Sequence, residues 1–340
     1  MSALPELDGV VSAGEVHRTA THLVSLQLPS GMIPWFEGGH CDPWNHVESA
    51  MALDVAGHHA EAERAYEWLV DTQLPTGGWF AYYANDGSIE DGKIDTNVCA
   101  YIAAGVYHHY RSTWDRGFAE HLWPAVERAL EFVLSMRRSD GVPLWAVEID
   151  DQPWDYALLT GTASIQHSLR CGAALGAALG SPRPAWIAAA DRMTEVIRTD
   201  PYAFEPKTRW AMDWYYPVLT GALVGEEAKA RLAEGWDTFA LEGLGIRCVS
   251  DEPWVTASET AECALAFATI GDLSTATDLL RWTRHHRRPD GAYWTGVVHP
   301  AGELFPPDEH TSYTAAAVLL AVDGITQTTQ ASDLFAPQHD

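Results

Sequence analysis

The sequence predicts an all-α fold, a single (α/α)6 barrel of six helical hairpins over residues 1–340, on three observations. Helices that are small and apolar on most sides alternate with helices that carry one apolar stripe. Polar loops rich in Gly, Asp and Trp come before the small-faced helices, which gives six loop-plus-two-helix units of roughly 45 to 60 residues. One device also occurs twice. GGHCDPWNHVESAMALDVAG, from Gly38 to Gly57, is echoed by SDEPWVTASETAECALAFATIG, from Ser250 to Gly271: a polar loop with Pro-Trp, a Glu, then an Ala-rich helix stopped by Gly.

In chain order, apolar residues recur at helical spacing from Val16 to Leu28, and PSGMIPWFEGGHCD is the first loop. Asp42 caps the next helix, with Pro43 at the first helical position, where a missing N–H costs nothing. That register makes Glu48 a residue of the second turn. Gly57 ends the small apolar stretch Val47–Ala56, and Ala60–Val70 is amphipathic, with Ala62, Ala65, Tyr66 and Leu69 on one stripe. The pattern restarts with QLPTGGWFAYYANDGSIEDGKID, the Asp95-capped helix Thr96–Tyr110, and the striped helix Phe118–Met136. SDGVPLWAVEIDDQPWDYA leads to the Gly/Ala-rich helix Leu159–Leu179 and the amphipathic Ala185–Arg198.

DPYAFEPKTRWAMDWYYP is the fourth loop, followed by a short helix near Val218 and a charged one through Glu226–Trp236. In the fifth unit Thr256 caps a helix, with Glu259 closing a T-x-x-E capping box, so that Glu262 stands at the same register as Glu48. Ala261–Ile270 and Ser274–His285 form the fifth pair. The last small-faced helix is Ser312–Val322, and residues 326–340 are expected to form a flexible tail. Such a barrel collects its six loops at one end, the expected functional face.

Asp and Glu number 47 against 21 Lys and Arg, a formal charge of -26 that argues against nucleic acid or an anionic membrane as partner. Five cysteines without a CxxC pair read as free thiols, and no apolar run is long enough for a membrane helix, so a cytoplasmic protein is expected. His40, Cys41, Asp42 and His46 match no closed zinc pattern, and no phosphate or dinucleotide fingerprint occurs; neither metal nor cofactor is expected.

Fifteen tryptophans are the compositional outlier, with Trp35, Trp44, Trp79, Trp145, Trp154, Trp214, Trp254 and Trp294 in polar loops. Aromatic faces beside carboxylates suit a sugar, which offers a C–H face and hydroxyls, and glycosidic cleavage needs two carboxyl groups. Glu262 is the first choice for one of them, as base. Asp42, Glu48 and Asp95, in that order, are candidates for the acid, because a cap Asp at the rim reaches a leaving group more easily than the deeper Glu48. Asp42 and Asp95 are equally good helix caps, and Glu48 and Glu262 could be buried carboxylates tied to Trp N–H or His groups. Trp44, Trp79, Trp154, Asp155, Asp213, Trp214, Trp254, His310 and Tyr313 are candidate substrate-binding residues.

QLPTGGW, Gln73–Trp79, and more weakly RRPDGAYW resemble the QW repeats of triterpene cyclases and protein prenyltransferases. That family's D-x-D-D acid motif is missing, and DDQPWD is not its D-D-x-x-D magnesium-diphosphate motif, so the likeness extends to the barrel and leaves a terpenoid enzyme as the alternative; a non-catalytic glycan-binding barrel is another. Through HCDPWNHVESAMALDVAGH, GGWFAYYANDGSIEDGKIDTNV and WVTASETAECALAFATIGD the whole chain resembles the actinobacterial methylmannose polysaccharide hydrolases. The resemblance implies endo-acting cleavage of α-1,4-mannosidic bonds in a partly O-methylated cytoplasmic polysaccharide. Enzymes with this barrel commonly invert, with carboxyl groups roughly 6.5 to 9.5 Å apart.

Overall fold

The structure is a computed structural model that describes residues 3–336. In chain order it contains α1 (Ala13–Leu26), α2 (Pro43–Val55), α3 (His59–Thr72), β1 (Tyr82–Tyr83), β2 (Ile89–Asp91), β3 (Ile94–Asp95), α4 (Thr96–Ala100), α5 (Ile102–Thr113) and α6 (Arg116–Ser135). There follow β4 (Ala146–Val147), α7 (Leu159–Leu179), α8 (Pro184–Thr199), α9 (Ala211–Leu219), α10 (Gly225–Phe239), β5 (Ala240–Leu241), β6 (Gly245–Arg247) and β7 (Trp254–Thr256). The chain closes with α11 (Ala257–Thr269), α12 (Leu273–Trp282), β8 (Gly296–Val298), β9 (Glu303–Phe305) and α13 (Ser312–Thr326).

The helices dominate and alternate as expected. α7 and α13 are buried on nearly all sides, through Gly161, Ala163, Ser164 and Gly172 in one and Ala315–Ala317 and Val318 in the other. α3, α6, α8 and α12 bury one stripe each, for α6 Leu122, Val126, Leu130 and Val133. The chain falls into two compact units. In the first, Leu28–Ala50 with His59–Pro206, α7 packs on α5, α6 and α8, and α3 on α5 and α6. In the second, which holds the residues up to Gln27, Met51–His58 and those from Lys207 on, α11 packs on α9, α12 and α13, and α1 on α13.

The strands were not anticipated; they are two or three residues long and lie within the expected loops. β5 to β9 form one antiparallel meander in the second unit, while β3 pairs with β4 in the first so that Asp95 lies opposite Ala146.

One loop turn recurs four times. Gly31, Gly77, Gly141 and Gly291 all have φ between +91° and +99°. Each donates its N–H to the carbonyl three residues back, at Leu28, Leu74, Arg138 and Arg288, and each of those residues donates in turn to the carbonyl four residues on. Every one of these glycines lies against an arginine: Gly31 on the Arg64 backbone, Gly77 on Arg128, Gly141 on the Arg192 side chain, Gly291 on Arg18. A Cβ on Gly31 or Gly77 would overlap a carbonyl oxygen, so positive φ and close approach both demand glycine. Gln73 bridges the second turn, donating to the carbonyls of Gly77 (2.8 Å) and Ala125 (2.9 Å) while Arg128 Nε donates to its Oε1 (3.0 Å). The Q-x3-G-x-W resemblance therefore has a packing role in this chain.

One local expectation needs correction. Thr256 is the N-cap residue of α11, but it makes no side-chain capping bond, and Glu259 accepts instead from Ser258 Oγ (2.7 Å) because that hydroxyl is its immediate neighbour. The capping box is absent. Past α13, residues 327–336 continue in hydrogen-bonded turns, Thr329 N–H donating to Asp323 (2.9 Å), with Ala331 and Leu334 buried; residues 337–340 of the expected tail lie outside the described residues.

Candidate active site

In the first unit each of the three candidate catalytic carboxyl groups holds an indole N–H. Asp42 precedes Pro43, the first residue of α2, and is 5% exposed. Its Oδ1 accepts from the Asn45 N–H (3.0 Å), and its Oδ2 accepts from Trp35 Nε1 and Asn45 Nδ2, both at 2.6 Å. Burial raises the Asp42 carboxyl above its ordinary range, and these donors oppose that.

Glu48 is the sixth residue of α2 and is also 5% exposed. Trp44 Nε1 donates to its Oε1 (3.0 Å), as does the Tyr101 hydroxyl (3.4 Å), and the two rings stack with centroids 4.9 Å apart. These contacts match the structural reading of a buried carboxylate tied to an indole.

Asp95 ends β3 and caps α4. Its Oδ1 accepts from the N–H groups of Asn97 (2.8 Å) and Val98 (3.2 Å), and its Oδ2 accepts from Trp145 Nε1. Burial pushes this carboxyl up to about 6, against the lowering effect of the three donors and of Lys93. It has three donors, as Asp42 does, but only one of them is on Oδ2, where Asp42 has two. The Tyr82 hydroxyl is pushed well up by burial and by the charges of Asp42, Asp95, Asp91 and Glu90.

In the second unit Glu262 is the sixth residue of α11, the register Glu48 has in α2. The hydroxyl of the fully buried Tyr215, on α9, donates to its Oε2. Burial and the Glu262 charge together raise that phenol well above its ordinary value, so it stays a donor to the carboxylate.

The candidate substrate residues divide. Trp79 is fully buried and donates to the Leu69 carbonyl (2.8 Å), while Trp214 is 4% exposed, donates to the Arg231 carbonyl (2.7 Å) and stacks on Phe239. Neither ring offers a face to a sugar; both are core residues, and that expectation is corrected. Trp44, Trp154 and Trp254 are half-buried, Trp154 donating to Glu148 (2.8 Å) and Trp254 stacked on Phe305 at 4.1 Å. Asp155 is exposed, Asp213 buried, and His310 and Tyr313 half-buried, His310 packing beside Trp294. Trp35, Tyr101, Trp145 and Tyr215 were not among the chosen site residues. For Trp35 and Trp145 a signal existed: each stands four residues after one of the turn glycines.

Among the described residues no cluster of three His, Cys, Asp or Glu side chains could hold a metal ion, and no helix is long and apolar enough to cross a membrane. The five cysteines are free and buried.

Comparison with solved structures bears on the fold. A glycosidase superposes with a TM-score of 0.72 over 93% of this chain and 97% of its own, at 14% identity. A D-mannose isomerase does so with 0.67, over 91% and 96%, at 12%. No protein-family model matches the chain. The chain is 47% identical over 335 residues, 98% of its length and 92% of the relative's, to the MMP endo-(1,4)-3-O-methyl-alpha-D-mannosidase of Mycolicibacterium hassiacum, and it belongs to that family of glycoside hydrolases. A shorter match, 30% over 84 residues, is to an uncharacterized glycosyl hydrolase of Methanocaldococcus jannaschii.

Proposed function

We propose that this protein is an endo-acting glycoside hydrolase that cleaves internal α-1,4 bonds of a 3-O-methylated mannose polysaccharide in the cytoplasm, on one (α/α)6 barrel. The observation that carries the reading is the 47% identity over 98% of the chain to an enzyme named for that bond and that sugar. The shared fold with glycosidases supports the barrel, and five unpaired, buried cysteines suit a reducing compartment.

The reaction needs one protonated and one ionised carboxyl group. Asp95 is taken as the acid in this reading, ahead of Asp42: burial pushes it up to about 6, and its Oδ2 accepts from one donor, Trp145 Nε1, whereas Asp42 Oδ2 accepts from two. As acid, Asp95 would give its proton to the glycosidic oxygen as the C1–O bond breaks and water bonds to C1; Glu262, its carboxylate steadied by the Tyr215 hydroxyl, is kept as the candidate base that takes the water's proton, each residue being assigned from its own unit. Trp44, Trp154 and Trp254 supply apolar faces that suit methyl-bearing rings, with Asp155, Asp213, His310 and Tyr313 for hydroxyls.

The test is incubation with 1,4-linked 3-O-methyl-α-mannosides and their unmethylated counterparts, followed by proton NMR. Internal cleavage of the methylated chains with the β-anomer formed first is expected. An intact methylated substrate overturns the substrate class; the α-anomer first overturns inversion.

A further inference from the structure

Trp145 stands beside Asp95 by construction rather than by chance of packing. The Thr96 N–H and hydroxyl both donate to the Trp145 carbonyl (2.9 Å each), the Trp145 N–H donates to the Tyr156 carbonyl (2.8 Å), and β3 and β4 pair immediately alongside. The ring is held as firmly. Tyr156 stacks on it at 5.5 Å and 17°, Trp154 meets it edge-on at 4.7 Å, and Lys93 Nζ lies 4.9 Å from its centroid. So placed, the indole occupies one lone pair of Asp95 Oδ2 and fixes the direction of the other.

We propose that Trp145, backed by Lys93, is a positioning residue that aims the Asp95 carboxyl and sets how tightly it holds its proton. The proposal rests on Asp95 being the acid. An indole N–H stabilises the ionised carboxylate more than the neutral acid, and the Lys93 charge does the same, so together they counter the effect of burial and keep the proton transferable. Titratable groups that feel the Asp95 charge include Tyr82 of β1, Cys99 of α4 and Tyr156, which are hydroxyl or thiol groups; Lys93 itself is paired with Asp91 at 3.3 Å. Tyr156 and Trp154 hold the ring, and Trp154 is in turn bonded to Glu148.

The test is a pH titration of the full-length protein labelled with 13C at the aspartate carboxyl carbons, the Asp95 signal identified by its loss in Asp95→Asn. Trp145→Phe is expected to move the Asp95 midpoint up by about one pH unit. The alkaline limb of kcat/KM on 3-O-methyl-α-mannosides should move up with it. A merely structural tryptophan would lower kcat at every pH and leave both midpoints in place, which overturns the proposal. Lys93→Met, which leaves the fold's core untouched, is expected to move the signal in the same direction; an unmoved signal there overturns the role of Lys93. Full activity in Asp95→Asn overturns the reading of Asp95 as the acid, while the carboxyl signal still decides whether Trp145 controls it.

Discussion

A carboxyl group that binds its proton more tightly after folding makes stability fall as pH rises, and Asp95 allows the size of that effect to be worked out. Its ordinary value is 3.8 and burial pushes it to about 6 in the folded chain. A folded value above the unfolded one means that folding takes up a proton as pH rises past 3.8, so the stabilising contribution is complete below that point and is lost as pH climbs through 6. Two units correspond to about 3 kcal/mol, most of it lost between about pH 4 and pH 6. Asp95→Asn abolishes the titration. It also turns an amide N–H toward a donor, Trp145 Nε1 or the backbone of Asn97 and Val98, at a pH-independent cost of about 1–3 kcal/mol. The absolute stability difference therefore mixes two effects, whereas its slope with pH contains one. Urea unfolding of dilute wild type and variant from pH 4 to pH 7 measures that slope, since the other carboxylates titrate alike in both and cancel. The wild type is expected to lose about 2–3 kcal/mol relative to the variant over this range. Parallel stability curves would refute the reasoning, because they would mean that Asp95 keeps its ordinary affinity for a proton after folding.

Other outcomes follow from the same geometry. Glu262→Gln should lower kcat by about 10²–10⁴ on 3-O-methyl-α-mannosides with the circular dichroism spectrum unchanged, and near-wild-type release of reducing ends would remove Glu262 from the mechanism. Tyr215→Phe deletes the hydroxyl that donates to Glu262 and should slow turnover about tenfold, with little change in KM. Gly31→Ala forces a Cβ onto the Arg64 carbonyl at a φ of +94° and should destabilise the chain by at least about 2 kcal/mol in thermal unfolding; Gly38→Ala, also at positive φ but with nothing within 4 Å of its Cβ, should cost about 1 kcal/mol and serves as the control.

The alternation of small-faced and striped helices was legible because both patterns are local and repeat. So was the shared register of Glu48 and Glu262, since caps and terminating glycines fix where a helix begins and ends, and each glutamate proved to be the sixth residue of its helix. What escaped the sequence depends on partners far along the chain. Nothing near Glu262 announces that Tyr215 will meet it, and Trp79 stands in a Gly-rich polar stretch that looks like a loop yet folds its indole onto the Leu69 carbonyl. Strands of two or three residues are too short to show an alternating pattern, so the β3–β4 pairing that brings Trp145 to Asp95 could not be seen in advance. A tie between Glu48 and an indole N–H was one of the alternatives the sequence offered; that Asp42 would hold the Trp35 N–H and Asp95 that of Trp145 was not, because loop tryptophans read first as platforms for sugar rings.

The four turn glycines also bear on the order in which the chain can assemble. Gly31 leans on Arg64, Gly77 on Arg128 and Gly141 on Arg192, so each turn settles only after the helix ahead of it has been made, and during synthesis these contacts close one after another in the direction of translation. The last runs the other way: Gly291 lies on the backbone of Arg18, in α1, which is made long before it. That helix waits while the segments between are made, and a chain cut short before Gly291 leaves it unclasped.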